Sequence, residues 1–516
     1  MANTFMNAMN NASNYAITEN GALTHKSTMS SLLDMFALGG AYRTRSDADC
    51  ILLFQKAYEE DALRALKCLF YLRNVRGGQG ERRFFRVVLN WLAKNHPEDV
   101  IRNLENIPFY GRWDDLYALV GTPVEDKMFY LMKQQLVLDL KSKTPSLLAK
   151  WLKSENTSSH ESRQLATLTR KKFNLTSREY RKALSSLRER IRVLERLMSA
   201  KRWNEIEFDK IPSRAGMIYR NAFARHDIER QKIGKTTYED FMKDTKTKVN
   251  AKALYPYECV AAATNVMRKS LSWCSDFGSD FEPALDDVNR LAVNKYWENL
   301  TDYFKGATFN GIAVVDTSGS MRGSEASAPI NVAISLGLYC AEHNKGPFAG
   351  HYISFSSRPQ WIATEGVDFC DKVARIYRTN LCENTNIEAT FDLLLNMARR
   401  PDVKKEDIPK NVIIISDMEF DQARGMYNYN RFISEQNYST LMEKIADKWC
   451  AYGLEMPNLI FWNVQARQNN IPMTVKDGIT FISGFSPVLF EQIMKGKTAI
   501  DLMLDVLDGE MYARVK

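Results

Sequence analysis

The spacing of apolar residues changes along the chain. After about residue 306, short apolar runs such as 312–315 and 412–415 are bounded by glycine or polar residues, which is typical of buried strands. Between them lie stretches with apolar residues three and four positions apart, which is typical of helices. This alternation predicts parallel strands with helices on both faces, a Rossmann-type α/β domain over 306–516. The other strands expected are 348–355, 459–464 and 478–483, and the helices expected are 328–341, 387–395, 439–449, 487–494 and 498–507.

The part before residue 306 has helical spacing almost throughout. Many helices joined by short turns predict an all-α domain over 1–305, stacked as a HEAT-like array. No clean internal period supports the repeat, so it rests on the number of helices. The longest helix is expected over 177–203, with an apolar stripe from Tyr180 to Met198. The other helices expected here are 47–73, 82–93, 124–141 and 145–152.

Oxygen-bearing side chains stand at the expected ends of two strands. Asp316, Ser318 and Ser320 follow the strand at 312–315, Asp417 ends the strand expected over 411–417, and Thr385 precedes a helix. The carboxyl ends of parallel strands are where such sheets bind ligands, and hard divalent cations take oxygen ligands. An isolated Asp-x-Ser-x-Ser fits a polar turn or helix cap equally well. The three segments in this order favour a metal site.

This set resembles the metal ion-dependent adhesion site (MIDAS) of von Willebrand factor A (vWA) domains. The resemblance implies a bound Mg²⁺ or Mn²⁺, with Asp316, Ser318, Ser320 and Thr385 as ligands and Asp417 acting through a water. It also implies that the cation accepts an acidic group from a protein partner or from the chain itself.

Composition excludes several classes of protein. The 516 residues are 45% hydrophobic and 26% charged, as in ordinary globular proteins of more than one domain. The chain has no 18-residue apolar run and no signal-like start, so no membrane partner is expected. Its eight cysteines lack Cys-x-x-Cys spacing and its six histidines are dispersed, which favours a reduced, cytoplasmic protein without a zinc site. No catalytic Ser/His/Asp or Cys/His set is evident, so we expect a protein that is not an enzyme.

Charge is distributed unevenly. Residues 306–516 carry 21 Lys+Arg against 25 Asp+Glu, a net of −4, and residues 1–305 carry 49 against 37, a net of +12. Residues 163–202 alone carry 13 against three. Such density favours contact with nucleic-acid phosphates, although a solvated helix face gives the same pattern. The candidate contacts are Arg76, Arg82, Arg83, Arg112, Arg170, Lys171, Lys172, Arg178, Arg181, Lys182, Arg188, Arg192, Arg214 and Arg220.

The glycine-rich segment 73–83 is also basic. It could present backbone amides and guanidinium groups to a phosphate, or it could be only a turn. It lacks the Gly-Lys-Ser/Thr of a phosphate-binding loop and a preceding strand, so nucleotide hydrolysis is not expected.

The segments 76–82 and 111–115 resemble elements of the TROVE module of Ro autoantigen ribonucleoproteins. A closer resemblance is to viral, bacterial and eukaryotic proteins related to that module, carried by 18–22, 180–188, 211–215, 254–258 and 482–486. In Ro proteins helical repeats form a ring that the vWA domain closes, structured small RNAs bind outside, and single-stranded ends enter the hole. The segment 160–230 departs from the Ro proteins.

The resemblance thus implies a ribonucleoprotein that binds small non-coding RNA or single-stranded RNA ends. Two other functions remain open from sequence. One is a protein-interaction scaffold that uses the metal site without RNA. The other is a metal-dependent nuclease or phosphatase, which is the weakest because three hydroxyls and two acids without a general base suit ligation better than hydrolysis.

Overall fold

The computed structural model describes residues 9, 14–265, 287–355, 358–379, 386–421, 440–473 and 478–516. The chain forms two compact units, each made of two separate stretches. The sheet unit comprises Met1–Ser46 and Leu254–Val506, and the helical unit comprises Asp47–Ala253 and Leu507–Lys516. The sequence had predicted one boundary between residues 305 and 306.

The strands of the described residues are β1 (Tyr15–Ile17), β2 (Leu23–His25), β3 (Gly311–Asp316), β4 (His351–Phe355), β5 (Trp361–Ala363), β6 (Asn411–Ser416), β7 (Asn458–Asn463) and β8 (Ile479–Ser483). The α-helices of the described residues, in chain order, are α1 (Ser31–Leu38), α2 (Asp47–Glu60), α3 (Ala62–Arg73), α4 (Arg83–Asn95), α5 (Pro97–Arg102), α6 (Asn106–Tyr110), α7 (Glu125–Lys141), α8 (Leu148–Trp151), α9 (His160–Lys172), α10 (Ser177–Arg190), α11 (Leu194–Ser199), α12 (Ser213–Arg225), α13 (Asp227–Gln231), α14 (Tyr238–Lys243), α15 (Pro256–Asn265), α16 (Asp287–Glu298), α17 (Pro329–His343), α18 (Phe369–Thr379), α19 (Ile387–Ala398), α20 (Leu441–Ala451), α21 (Leu489–Ile493) and α22 (Ala499–Leu507).

Six strands form one sheet in the order β5-β4-β3-β6-β7-β8. β4, β3, β6, β7 and β8 are parallel, and this confirms the α/β expectation. The edge strand β5 pairs antiparallel with β4 and was not predicted. Its three residues are partly or fully exposed, so they carry no buried apolar run that could reveal a strand.

The centre of the sheet is packed tightly against α17. Every residue of β3 is buried, and α17 is buried over nearly its whole length. Gly337 of α17 approaches β3 so closely that a Cβ atom there would lie 2.4 Å from Cγ2 of Val315. This contact sets the spacing between the helix and the strand that carries Asp316.

Gly337→Ala is therefore expected to lower the free energy of unfolding by about 1–3 kcal/mol, because the added methyl group overpacks a rigid core. Denaturant unfolding measures the change. Gly319→Ala is the control, since no atom of the described structure lies within 4 Å of a Cβ at that position. Equal stability of the two variants would contradict the close contact.

All regular elements of the helical unit are helices, which confirms the helical character of this part of the chain. The helix predicted over 47–73 is wrong in one respect, because it is two helices. Asp61 separates α2 from α3 and accepts a hydrogen bond from the Arg64 amide at 2.9 Å. A side-chain carboxylate that caps the next helix replaces the continuing backbone bonds.

The helix predicted over 177–203 is also broken. Arg192 follows α10 with φ of 50°, and the Val193 and Arg192 amides donate to the carbonyls of Arg188 and Glu189 at 3.0 and 2.9 Å. This pair of bonds is a Schellman motif, which ends a helix. The apolar stripe continues across the break, with Tyr180, Leu187 and Leu194 all buried. The apolar spacing therefore continues past the residue at which the helix ends.

No helix among the described residues is long and apolar enough to cross a membrane.

Candidate functional site

The carboxyl ends of β3 and β6 bring two acids together. The strands are parallel neighbours with Val315 opposite Ile415, so Asp316 and the residues after Ile415 lie at the same edge. Ser416 donates its hydroxyl to Oδ2 of Asp316 at 2.6 Å, and the Ser318 amide donates to Oδ1 at 2.9 Å. Asp316 is thus fixed by both strands.

The hydroxyls lie at the same edge. Ser318 and Ser320 have their Oγ atoms 3.0 Å apart. Ser320 lies in a short 3₁₀ helix, Gly319–Met321, and its hydroxyl hydrogen-bonds to Asp417. The structure therefore gathers Asp316, Ser318, Ser320 and Asp417, and Thr385 lies outside the described residues.

The acids are held where a negative charge is costly. Burial and the neighbouring Asp417 raise the pKa of Asp316 to about 7. Burial also raises the pKa of Asp417, against the opposing effects of its hydrogen bonds and of Arg467. Oδ2 of Asp417 is buried and accepts no hydrogen bond from the described residues. A buried carboxylate oxygen without a hydrogen-bond donor, beside two hydroxyls, is a set of oxygen ligands that fits a cation.

Few acids contribute to this edge. Within the described ranges, no group of three or more His, Cys, Asp or Glu side chains is arranged to hold a metal ion. Any cation here would depend on the hydroxyls as much as on the carboxylates.

Sequence reasoning missed Arg467 at this edge. Its Nε lies 3.5 Å from Oδ2 of Asp417, its Nη2 donates to the Ser320 carbonyl at 2.6 Å, and its Nη1 lies 3.1 Å from Oε2 of Glu19. The guanidinium therefore stands between one acid of the site and a second acid from the N-terminal segment.

Glu19 belongs to the β1–β2 hairpin, which is attached to the segment after β6. Thr18 donates its hydroxyl to the Phe420 carbonyl at 2.7 Å, and the Glu19 amide donates to Oε2 of Glu419 at 2.7 Å. Glu419 is buried, and burial raises its pKa to about 7. The segment 18–22 had been singled out by resemblance alone, and no local pattern links it to residues 400 positions away.

Several candidate RNA contacts are engaged within the helical unit. Arg188 donates to the carbonyls of Ala149 and Leu152 and to the Ser154 hydroxyl at 2.7–2.8 Å, so it closes the end of α8. Arg112 is half-buried over the Trp151 ring, and burial together with nearby arginines lowers its pKa. The others engaged are Arg83 with Asp47, Arg170 with Glu155, Lys172 with Glu125 and Asp126, Arg192 with Glu207, Arg220 with the Met217 carbonyl, and Arg76 with the Phe109 carbonyl.

Other candidates are exposed. Lys171 lies in the last turn of α9, and Arg178, Arg181 and Lys182 lie in the first turns of α10. Arg82 and Arg214 are exposed elsewhere in the unit. The guanidinium Nε of Arg181 donates to the Ser177 carbonyl at 3.1 Å, and the side chain is exposed. We call Lys171, Arg178, Arg181 and Lys182 the basic junction.

The glycine-rich segment is a structural turn. The amides of Arg76 and Gly77 donate to the Asn74 side chain at 2.9 and 3.4 Å. The amides of Val75, Gln79, Gly80 and Glu81 donate to backbone carbonyls. A Cβ at Gly78 would lie 2.1 Å from the Tyr71 carbonyl oxygen. These amides are committed inside the unit, so the segment gives little support to a phosphate cradle.

Arg188→Ala is expected to lower the free energy of unfolding by about 1–3 kcal/mol, because three acceptors lose a charged donor. Lys182→Ala, on the exposed side of the same helix, is expected to change it by less than about 0.5 kcal/mol. Thermal or denaturant unfolding of both variants provides the measurement. An Arg188 variant as stable as the wild type would mean that the guanidinium is not structural.

Comparison with known proteins places the chain in a family. The family described as "Domain of unknown function (DUF2828)" matches residues 18–175 and 144–307, and "Domain of unknown function (DUF7788)" matches residues 310–510. "Uncharacterized protein L728" of Acanthamoeba polyphaga mimivirus is 30% identical over 536 aligned residues, covering 96% of this chain and 87% of that protein. The chain belongs to the DUF2828 family.

A solved structure is similar at a lower level. The crystal structure of the Deinococcus radiodurans Ro (RSR) protein aligns over 94% of this chain and 100% of that chain, with 13% sequence identity and a TM-score of 0.41. Values this low do not establish a shared function.

Proposed function

We propose that this protein binds RNA through the helical unit and holds a divalent cation, Mg²⁺ or Mn²⁺, at the carboxyl edge of β3 and β6. The observation that carries RNA binding is the basic junction. Four cationic side chains are exposed where α9 passes into α10, and only residues 173–176 separate the two helices. The resemblance to TROVE-related proteins points in the same direction.

The acids of its own segment do not match the charge of the junction. Residues 163–202 contain three acids, Glu179, Glu189 and Glu195. Glu179 accepts from the Thr176 amide and hydroxyl at 2.7 Å, and Glu189 pairs with Arg196 at 3.2 Å. Phosphate groups can supply the missing negative charge and release condensed counterions as they bind. Such contacts position a nucleic acid without reading bases, so we expect recognition of shape and of single-stranded segments.

Reversing two charges of the junction, Arg178→Glu with Lys182→Glu, is expected to weaken binding of every RNA tested. The loss of phosphate contacts should also flatten the dependence of log affinity on log salt, by about 0.7 per contact for a single strand. Filter binding of a uridine oligomer and of an RNA hairpin, over a range of salt, measures both effects.

A matched control is Lys404→Glu with Lys405→Glu, the same charge change on exposed residues of the sheet unit. It should leave binding within about twofold of the wild type if contact rather than total charge matters. A wild-type protein that binds neither RNA at low salt would overturn the proposal and favour a scaffold whose basic surface meets an acidic protein.

The cation site is proposed on the four residues that the edge brings together. Asp316 and Asp417 would supply carboxylate oxygens, and Ser318 and Ser320 would supply hydroxyls. A cation bound there offers a positive centre that accepts an acidic oxygen, as in a vWA adhesion site. Hydroxyls and two carboxylates suit ligation, so we propose a binding protein rather than an enzyme.

Asp316→Ala is expected to abolish Mg²⁺ or Mn²⁺ binding measured by calorimetry and to leave the helical circular dichroism signal intact. In the wild type the affinity should fall as the pH is lowered from about 8 to about 6, because a carboxyl with a pKa near 7 must lose its proton before it ligates a cation. Affinity that does not change with pH, or that survives in Asp316→Ala, would refute the assignment.

A further inference from the structure

The guanidinium of Arg467 lies at the edge where the cation site is proposed, and two carboxylates contact it. Arg467 approaches Oδ2 of Asp417 at 3.5 Å and Oε2 of Glu19 at 3.1 Å, while its Nη2 is fixed on the Ser320 carbonyl at 2.6 Å. Arg467 thus lies between Glu19 and Asp417, a residue of the proposed site. Both carboxylates stabilise the charge of the guanidinium, which brings Glu19 to the edge that carries Asp417.

Glu19 is held in place by the backbone contacts of its own segment, and its side chain pairs with Arg467. Its amide donates to Glu419, Asn20 donates its side-chain amide to the Glu419 carbonyl at 2.6 Å, and Gly21 pairs with Asp421 as an isolated bridge. At the other strand of the hairpin, His25 and Ile471 exchange backbone hydrogen bonds at 3.0 and 2.9 Å. These contacts hold the Glu19 backbone at the edge, while its side chain stays 43% exposed.

We propose that Glu19 is the acidic group that a cation at Asp316, Ser318, Ser320 and Asp417 accepts, so that the partner of this site is the N-terminal hairpin of the same chain. The inference rests on the proposed cation site and adds the identity of its acidic partner. Arg467 would orient the Glu19 carboxylate, which would lie between the two positive groups and be attracted by both. The N-terminal hairpin would then be tied to the sheet more firmly when the cation is present.

Glu19→Gln keeps the size of the side chain and removes its charge. It is expected to weaken Mg²⁺ or Mn²⁺ binding, measured by calorimetry on the full chain, by about tenfold or more, because cation affinity follows the number of charged ligands. The control is Glu325→Gln, which removes an exposed acid a few residues after Ser320 in the same unit. It should bind the cation as the wild type does.

A background without the guanidinium separates ligation from simple neutralisation of Arg467. Glu19→Gln should still weaken cation binding when combined with Arg467→Gln, compared with Arg467→Gln alone. Loss of the effect in that background would mean that Glu19 acts only by balancing the arginine, and this would overturn the proposal.

Hydrogen exchange gives a readout independent of affinity. Addition of Mg²⁺ should slow exchange of the amides of residues 17–23 in the wild type and in Glu325→Gln, but not in Glu19→Gln. If the wild type binds no cation, the site itself fails. If the wild type binds and Glu19→Gln binds equally well with unchanged exchange, the site stands, and its acidic partner comes from another molecule.

Discussion

The parallel pairing of β3 with β6 is the constraint on which the proposed cation site depends. Because Val315 and Ile415 lie opposite each other, the two strands end together and place Asp316 and Asp417 at one buried edge. Two carboxylates in such a place repel each other and lose hydration, which is why the pKa of Asp316 is raised. The hydroxyls of Ser318, Ser320 and Ser416 surround them, but one buried oxygen of Asp417 accepts no hydrogen bond from the described residues and lies 3.5 Å from Nε of Arg467. A positive charge near this edge therefore stabilises the two buried carboxylates.

Arg467 supplies a positive charge within the chain, and the N-terminal hairpin adds a further carboxylate, Glu19, beside it. Arg467 meets Asp417, Ser320 and Glu19, and the hairpin is attached by backbone bonds to the segment after β6 and to Ile471. Segments that are distant in sequence therefore meet at one polar edge of the sheet unit. This arrangement brings the hairpin to the edge that carries Asp417.

In the helical unit, arginines serve two purposes that composition does not distinguish. Arg188 satisfies backbone carbonyls at the end of α8, whereas Arg178 and Lys182 are exposed. All three contribute equally to the net charge of their segment. A count of basic residues consequently overstates the surface that is free to bind a phosphate, and the exposed subset is the meaningful one.

The sequence was enough to predict the α/β sheet, because buried parallel strands need unbroken apolar runs, and two such runs precede Asp316 and Asp417. It also determined the helical character of the part between residues 47 and 253, since a three- and four-residue apolar spacing persists there. It missed the breaks at Asp61 and Arg192, where caps interrupt the backbone bonds while the apolar spacing continues. Which arginines are buried and which acids contact Arg467 depends on tertiary contacts. Those contacts join residues up to 448 positions apart, and no local pattern encodes such a distance.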